Sequence, residues 1–178
     1  MDTETLTCKV CEARADYGIT QQQLDQMDVL LTGKQRSNLL LVCILGAYVK
    51  RRGNLMLICE REKTASLDEL AYCIRESLIY LDAYGAACSF YQEGQGSVCG
   101  ETLLAAYDFF ENALEAALPT LSALLVRVEC SQRLSIRLMM EDAARLPDCE
   151  RFARMGELSI DQTDGTLCLT LCFPGEVN

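Results

Sequence analysis

The chain has 178 residues, 50% of them hydrophobic, enough to bury one core with a helical extension. Its formal net charge is −10, which excludes the broad basic surface that a grip on nucleic acid needs. It contains no histidine, which excludes His-based triads, His-ligated metals and a phosphoacceptor histidine within these residues.

The 11 cysteines are odd in number, mostly lie inside apolar runs and follow no secretory leader, since Met1 to Thr7 is acidic and polar. They predict a reduced, cytoplasmic protein rather than a disulfide scaffold. The longest apolar run, Leu39 to Val49, is closed by Lys50 and is too short for a transmembrane segment.

Residues 1–18 have little periodicity and read as a flexible N-terminal segment. Cys8 and Cys11 form a lone C-x-x-C pair, two ligands short of a structural zinc site. Thr20 to Leu31 reads as a helix, with Thr20 as N-cap and Leu24, Met27, Leu30 and Leu31 on one stripe. Lys34 to Glu62 reads as a long helix with a wide apolar face that calls for partners on more than one side. Its Lys50-Arg51-Arg52 cluster reads as a solvated helix turn.

Ser66 to Tyr84 is predicted helical from the capping box Ser66-Leu67-Asp68-Glu69, with Gly85 as the stop. Ala86 to Tyr91 reads as a strand and Glu93 to Gly96 as a turn. Gly100 to Leu118 is a helix ended by Pro119. Ala123 to Cys130 and Leu134 to Met140 are strands joined at Ser131-Gln132. Asp148 to Met155 holds one or two helical turns. Gly156 to Ile160 and Leu167 to Phe173 are strands around the hairpin signal Asp164-Gly165. The order predicts helices layered on a largely antiparallel or mixed sheet.

Three pieces of this pattern carry a family resemblance. Tyr107-Asp108-Phe109-Phe110-Glu111-Asn112-Ala113-Leu114-Glu115-Ala116-Ala117 resembles the asparagine-bearing helix of sensor histidine kinases. The strand running to Asp142 resembles the one that ends on the family's adenine-binding aspartate. The run from Gly156 through Asp164-Gly165-Thr166 to Phe173-Pro174 resembles the closing hairpin of the same domain.

The resemblance implies an α+β chain. A helical hairpin or dimerisation helices would occupy 19–63. An α/β sandwich resembling the histidine-kinase ATP-binding (Bergerat) fold, with a shortened lid, would occupy 64–178. It also implies roles. Asn112 would hold the magnesium of Mg-ATP, Glu111 would be the catalytic base or polariser, and Asp142 would accept from the adenine amino group. The implied partners are a second copy in a homodimer and a response regulator or another signalling protein.

The sequence also departs from the family. Asp142 is followed by Ala143-Ala144-Arg145-Leu146, with no glycine where backbone amides must approach phosphate. Only the 13 residues Ala143 to Met155 stand where family members carry a lid and a second glycine-rich motif. These losses point to a degenerate signalling protein that dimerises and binds partners with weak or absent ATP binding. The alternatives are an active kinase or ATPase fragment using Asn112 and Glu111, and an acidic cytosolic interaction module without nucleotide.

Overall fold

The computed structural model describes residues 21–33, 36–143 and 145–175. Cys8, Cys11 and the Thr20 cap lie outside these residues. The chain divides into two compact units, Met1–Val49 and Lys50–Asn178.

In the first unit, helix α1 (residues 21–32) turns at Gly33 into α2 (Arg36–Arg61). The Leu30 carbonyl near the end of α1 accepts both the Gly33 N–H at 3.2 Å and the Asn38 side-chain amide of α2 at 2.9 Å. Further along, Gly46 lies against Met27, where a Cβ would meet the methionine methyl at an ordinary contact distance of 3.6 Å. This is the expected helical hairpin. Among the described residues, no helix is long and apolar enough to cross a membrane.

The second unit holds the end of α2, then β1 (Thr64–Ser66), α3 (Leu67–Tyr84), β2 (Ala87–Glu93), β3 (Ser97–Cys99) and α4 (Gly100–Ala117). After these come β4 (Ala123–Cys130), β5 (Leu134–Glu141), α5 (Glu150–Ala153), β6 (Glu157–Thr163) and β7 (Thr166–Cys172). Five strands form one mixed sheet in the order β2-β4-β5-β7-β6. Only β2 and β4 run parallel, with α4 in the connection between them; the other pairs are antiparallel.

Period-two alternation decides which face is buried. Leu124, Val126 and Val128 of β4, Ile136, Leu138 and Met140 of β5, and Leu167, Leu169 and Leu171 of β7 are buried. The register aligns them in rows such as Val126, Leu138 and Leu169. Helix α3 packs on β2 and α4, and α4 packs on β5, so the asparagine-bearing helix covers the sheet as the resemblance implies. The protein is an α+β fold of helices over a mixed sheet.

Helix α3 starts and stops on the predicted signals. The Ser66 hydroxyl accepts from the Asp68 N–H at 3.2 Å, one residue earlier than the capping box places it. Gly85 ends the helix in the left-handed region, its N–H returning to the Leu81 and Asp82 carbonyls. Asp164 (φ 51°) and Gly165 (φ 86°) form the two-residue hairpin turn, both left-handed.

Sequence reading did not anticipate the small antiparallel pair of β1 and β3, with Thr64 opposite Cys99. Three residues are too few to show alternation, and the flanking Gly94 and Gly96 read as turn.

Candidate functional site

Helix α4 carries the predicted site residues Glu111 and Asn112. Leu103, Ala106, Tyr107, Phe110, Ala113, Leu114 and Ala117 bury one side of it, as its Ala- and Leu-rich pattern predicts. Two carboxyls of α4 are also buried, Asp108 and Glu111. A buried charge is costly unless it is paired or neutralised, and the two residues meet that cost differently.

Asp108 is paired. Arg52 of α2, 2% exposed, binds it through Nε at 2.9 Å and Nη2 at 3.2 Å. Arg51 is half-buried, ion-paired with Glu76 and stacked over the Tyr72 ring at 4.7 Å. The solvated turn expected at Lys50-Arg51-Arg52 is therefore corrected. Only Lys50 is exposed, because α3 and α4 supply carboxylates that draw the two arginines inward.

Glu111 is 1% exposed and faces α3, where its Oε1 accepts from the Ser77 hydroxyl at 2.7 Å. Burial pushes its pKa up to about 8, while Ser77 and Tyr107 favour the charged form and Glu115 and Asp108 oppose it. At neutral pH this group is mostly the protonated acid. The Tyr107 hydroxyl, buried in the same cluster, is driven well above the phenol range, chiefly by desolvation and then by Glu111.

Asn112 lies one residue on and therefore on a different face. Its side-chain amide donates to the Asp148 carbonyl at 3.0 Å. Asp148 in turn accepts, on its carboxylate, the N–H of Glu150, the first residue of α5, at 3.2 Å. Phe152 of α5 is fully buried, edge-on to Phe109 of α4 with centroids 5.2 Å apart. Ala143, Pro147 and Cys149 are buried along the same segment. The segment from Arg145 to Met155 is thus packed onto α4 by apolar contacts and by the Asn112 bond.

Asp142 sits at the end of β5 with φ 61°, exposed, its N–H donating to the Gly165 carbonyl at 3.2 Å. Among the described residues it shares no hydrogen bond with Asn112 or Glu111. The three site residues therefore occupy separate environments: a helix interface, a packed segment and a strand end. Among the described residues, no group of three or more Cys, Asp and Glu side chains is arranged to hold a metal ion.

Sequence reading missed Arg52 and Asp108 as a pair. The signal was a pair of carboxyls three residues apart in a helix otherwise rich in Ala, Leu and Phe, where a buried carboxyl must find a partner.

No family model matches the chain, and no curated protein matches it by sequence. Solved structures do. The chain is similar to the histidine kinase domain of the blue-light activated histidine kinase EL346 from Erythrobacter litoralis, at 14% identity and a TM-score of 0.49 over 88% of this chain and 95% of that one. It is similar to a bacterial phosphotransferase, at 11% identity and a TM-score of 0.48 over 96% of this chain and 97% of that one. The ATP-binding domain of PrrB from Mycobacterium tuberculosis shares 12% identity, with a TM-score of 0.42 over 64% of this chain and 98% of that domain.

Proposed function

We propose that the chain is a histidine-kinase-like scaffold that acts in the cytoplasm by self-association and partner binding, without gripping nucleotide. The α1–α2 hairpin would form the homodimer, and a response regulator or another signalling protein would be the partner. The observation that carries this reading is the segment docked beside Asn112. The amide that would face magnesium is engaged with the Asp148 carbonyl, and Phe152 fills the flank of α4. The residues present fit Mg-ATP poorly on two further counts. Glu111 is enclosed between α3 and α4, and no glycine follows Asp142 to open the backbone to phosphate.

The reading is tested by thermal unfolding of the full chain with and without millimolar Mg-ATP. A ligand at 100 times its Kd stabilises the folded state by about 2.7 kcal/mol. No shift in Tm is expected. A clear upward shift that Asn112→Ala abolishes would instead support an active kinase or ATPase using Asn112, Glu111 and Asp142. Sedimentation equilibrium tests self-association; a monomer at tens of micromolar would remove the homodimer from the reading.

A further inference from the structure

We propose that Cys59 and Cys99 form a redox-controlled disulfide that clamps the C-terminal end of α2 to the N-terminal end of α4. Cys59 lies in the last turn of α2, which ends at Arg61, and Cys99 is the residue at which α4 begins. The two are brought together by Gly100. A Cβ there would sit 2.5 Å from the Cys59 Sγ, 2.7 Å from its Cβ and 3.2 Å from its Cα. The Cys59 thiol therefore rests directly on the backbone next to Cys99.

Two backbone ties hold this arrangement. The Gly100 N–H donates to the Lys63 carbonyl at 3.2 Å, and Cys99 is registered opposite Thr64. The thiols also interact through space: after burial, Cys99 is the largest influence raising the Cys59 pKa. Bridging requires Cα atoms roughly 4.4–6.8 Å apart. Any closing movement falls on a helix terminus, which yields more easily than a helix interior.

Among the described residues, the other cysteines offer no comparable pair. Cys73, Cys130 and Cys149 are buried. Cys168 and Cys172 are four positions apart on one strand, about 13 Å by strand rise.

The oxidant is a peroxide. The exposed Cys99, as its thiolate, attacks one peroxide oxygen; the O–O bond breaks, leaving Cys99 sulfenic acid and hydroxide. The half-buried Cys59 sulfur then attacks the sulfenic sulfur. The S–O bond breaks, the S–S bond forms, and the Cys59 proton leaves with the oxygen as water. Overall, two thiols lose two electrons and two protons, and hydrogen peroxide becomes two waters. The bridge would fix the start of α4, the helix that carries Glu111 and Asn112.

The test treats the full-length chain with a few equivalents of hydrogen peroxide, blocks remaining thiols with an alkylating agent and maps peptides by mass spectrometry. The expected result is a cross-linked peptide joining Cys59 to Cys99, two fewer alkylated thiols, and reversal by dithiothreitol. Cys59→Ser should leave Cys99 as a sulfenic acid that dimedone traps, whereas Cys99→Ser should leave Cys59 alkylated. The proposal is overturned if both cysteines stay alkylated in oxidised wild type, or if dimedone labels Cys99 equally in wild type and Cys59→Ser. The wild-type peptide map decides the matter even if a serine variant fails to fold.

Discussion

The Arg52 guanidinium meets the Asp108 carboxylate at two points inside the core, 2.9 and 3.2 Å, joining the end of α2 to α4. The Arg52 Nη1 also lies 3.1 Å from the Met56 sulfur one turn along. A planar guanidinium fits this fork, and lysine would not. Desolvating both ions offsets much of their attraction, so the pair specifies the helix packing more than it stabilises it.

Removing one partner strands a buried charge. Arg52→Ala is expected to destabilise the chain by about 3–5 kcal/mol, read as a lower urea midpoint. Arg52→Met combined with Asp108→Leu should recover most of that loss, because it removes both charges and keeps the volume. If the double variant is no more stable than Arg52→Ala, desolvation is not what makes the single substitution costly.

Glu111 makes stability depend on pH with an uncommon sign for a carboxyl. Its pKa rises from 4.5 to about 8 on folding, mainly through burial. Below pH 4.5 both states hold the proton and the group contributes nothing. Between about 4.5 and 8 the unfolded chain has released the proton while the folded chain keeps it, so stability falls as pH rises. Above about 8 the loss is complete, a few kcal/mol by the size of the shift. Glu111→Gln, which stays neutral and can still bond Ser77, should flatten the urea midpoint across that window and raise it at pH 8. A midpoint for wild type that does not fall from pH 5 to 8 relative to Glu111→Gln would show the carboxyl ionised in the fold.

Most of the fold was legible because its signals are local. Ser66 and Gly85 bound α3, alternation marked β5, and Asp164-Gly165 marked the last turn. The site was legible as residues but not as an arrangement. Helical spacing separates Glu111 from Asn112, but it cannot say that α3 supplies Ser77 to one and the α5 segment supplies Asp148 to the other. Arg52 was hidden for the same reason. Three consecutive basic residues look solvated until distant carboxylates, one of them 56 positions away, are placed beside them.

Gly94 and Gly165 both have positive φ, 85° and 86°, yet they should respond differently to alanine. At Gly165 a Cβ meets nothing within 4 Å, so Gly165→Ala carries only the left-handed backbone cost of about 1–2 kcal/mol. At Gly94 a Cβ would also run into the Cys130 carbonyl, which is backbone and cannot rotate away. Gly94→Ala should therefore lower the urea midpoint well beyond Gly165→Ala. Equal losses would mean that the loop after β2 relaxes freely.

The segment docked on α4 can be tested through its two attachments. Phe152→Ala removes a fully buried ring stacked edge-on with Phe109, and is expected to cost about 3–5 kcal/mol. Asn112→Ala removes one partly exposed bond to the Asp148 carbonyl, worth about 1 kcal/mol. Both hold the same short stretch, so the double variant should lose less than the two costs added. Hydrogen exchange should report the same order, with residues 145–155 unprotected in Phe152→Ala and only partly loosened in Asn112→Ala. If Phe152→Ala costs under 1 kcal/mol and leaves exchange unchanged, the segment is not anchored by that ring. The flank of α4 would then be open to a ligand, and the nucleotide-free reading would lose its main support.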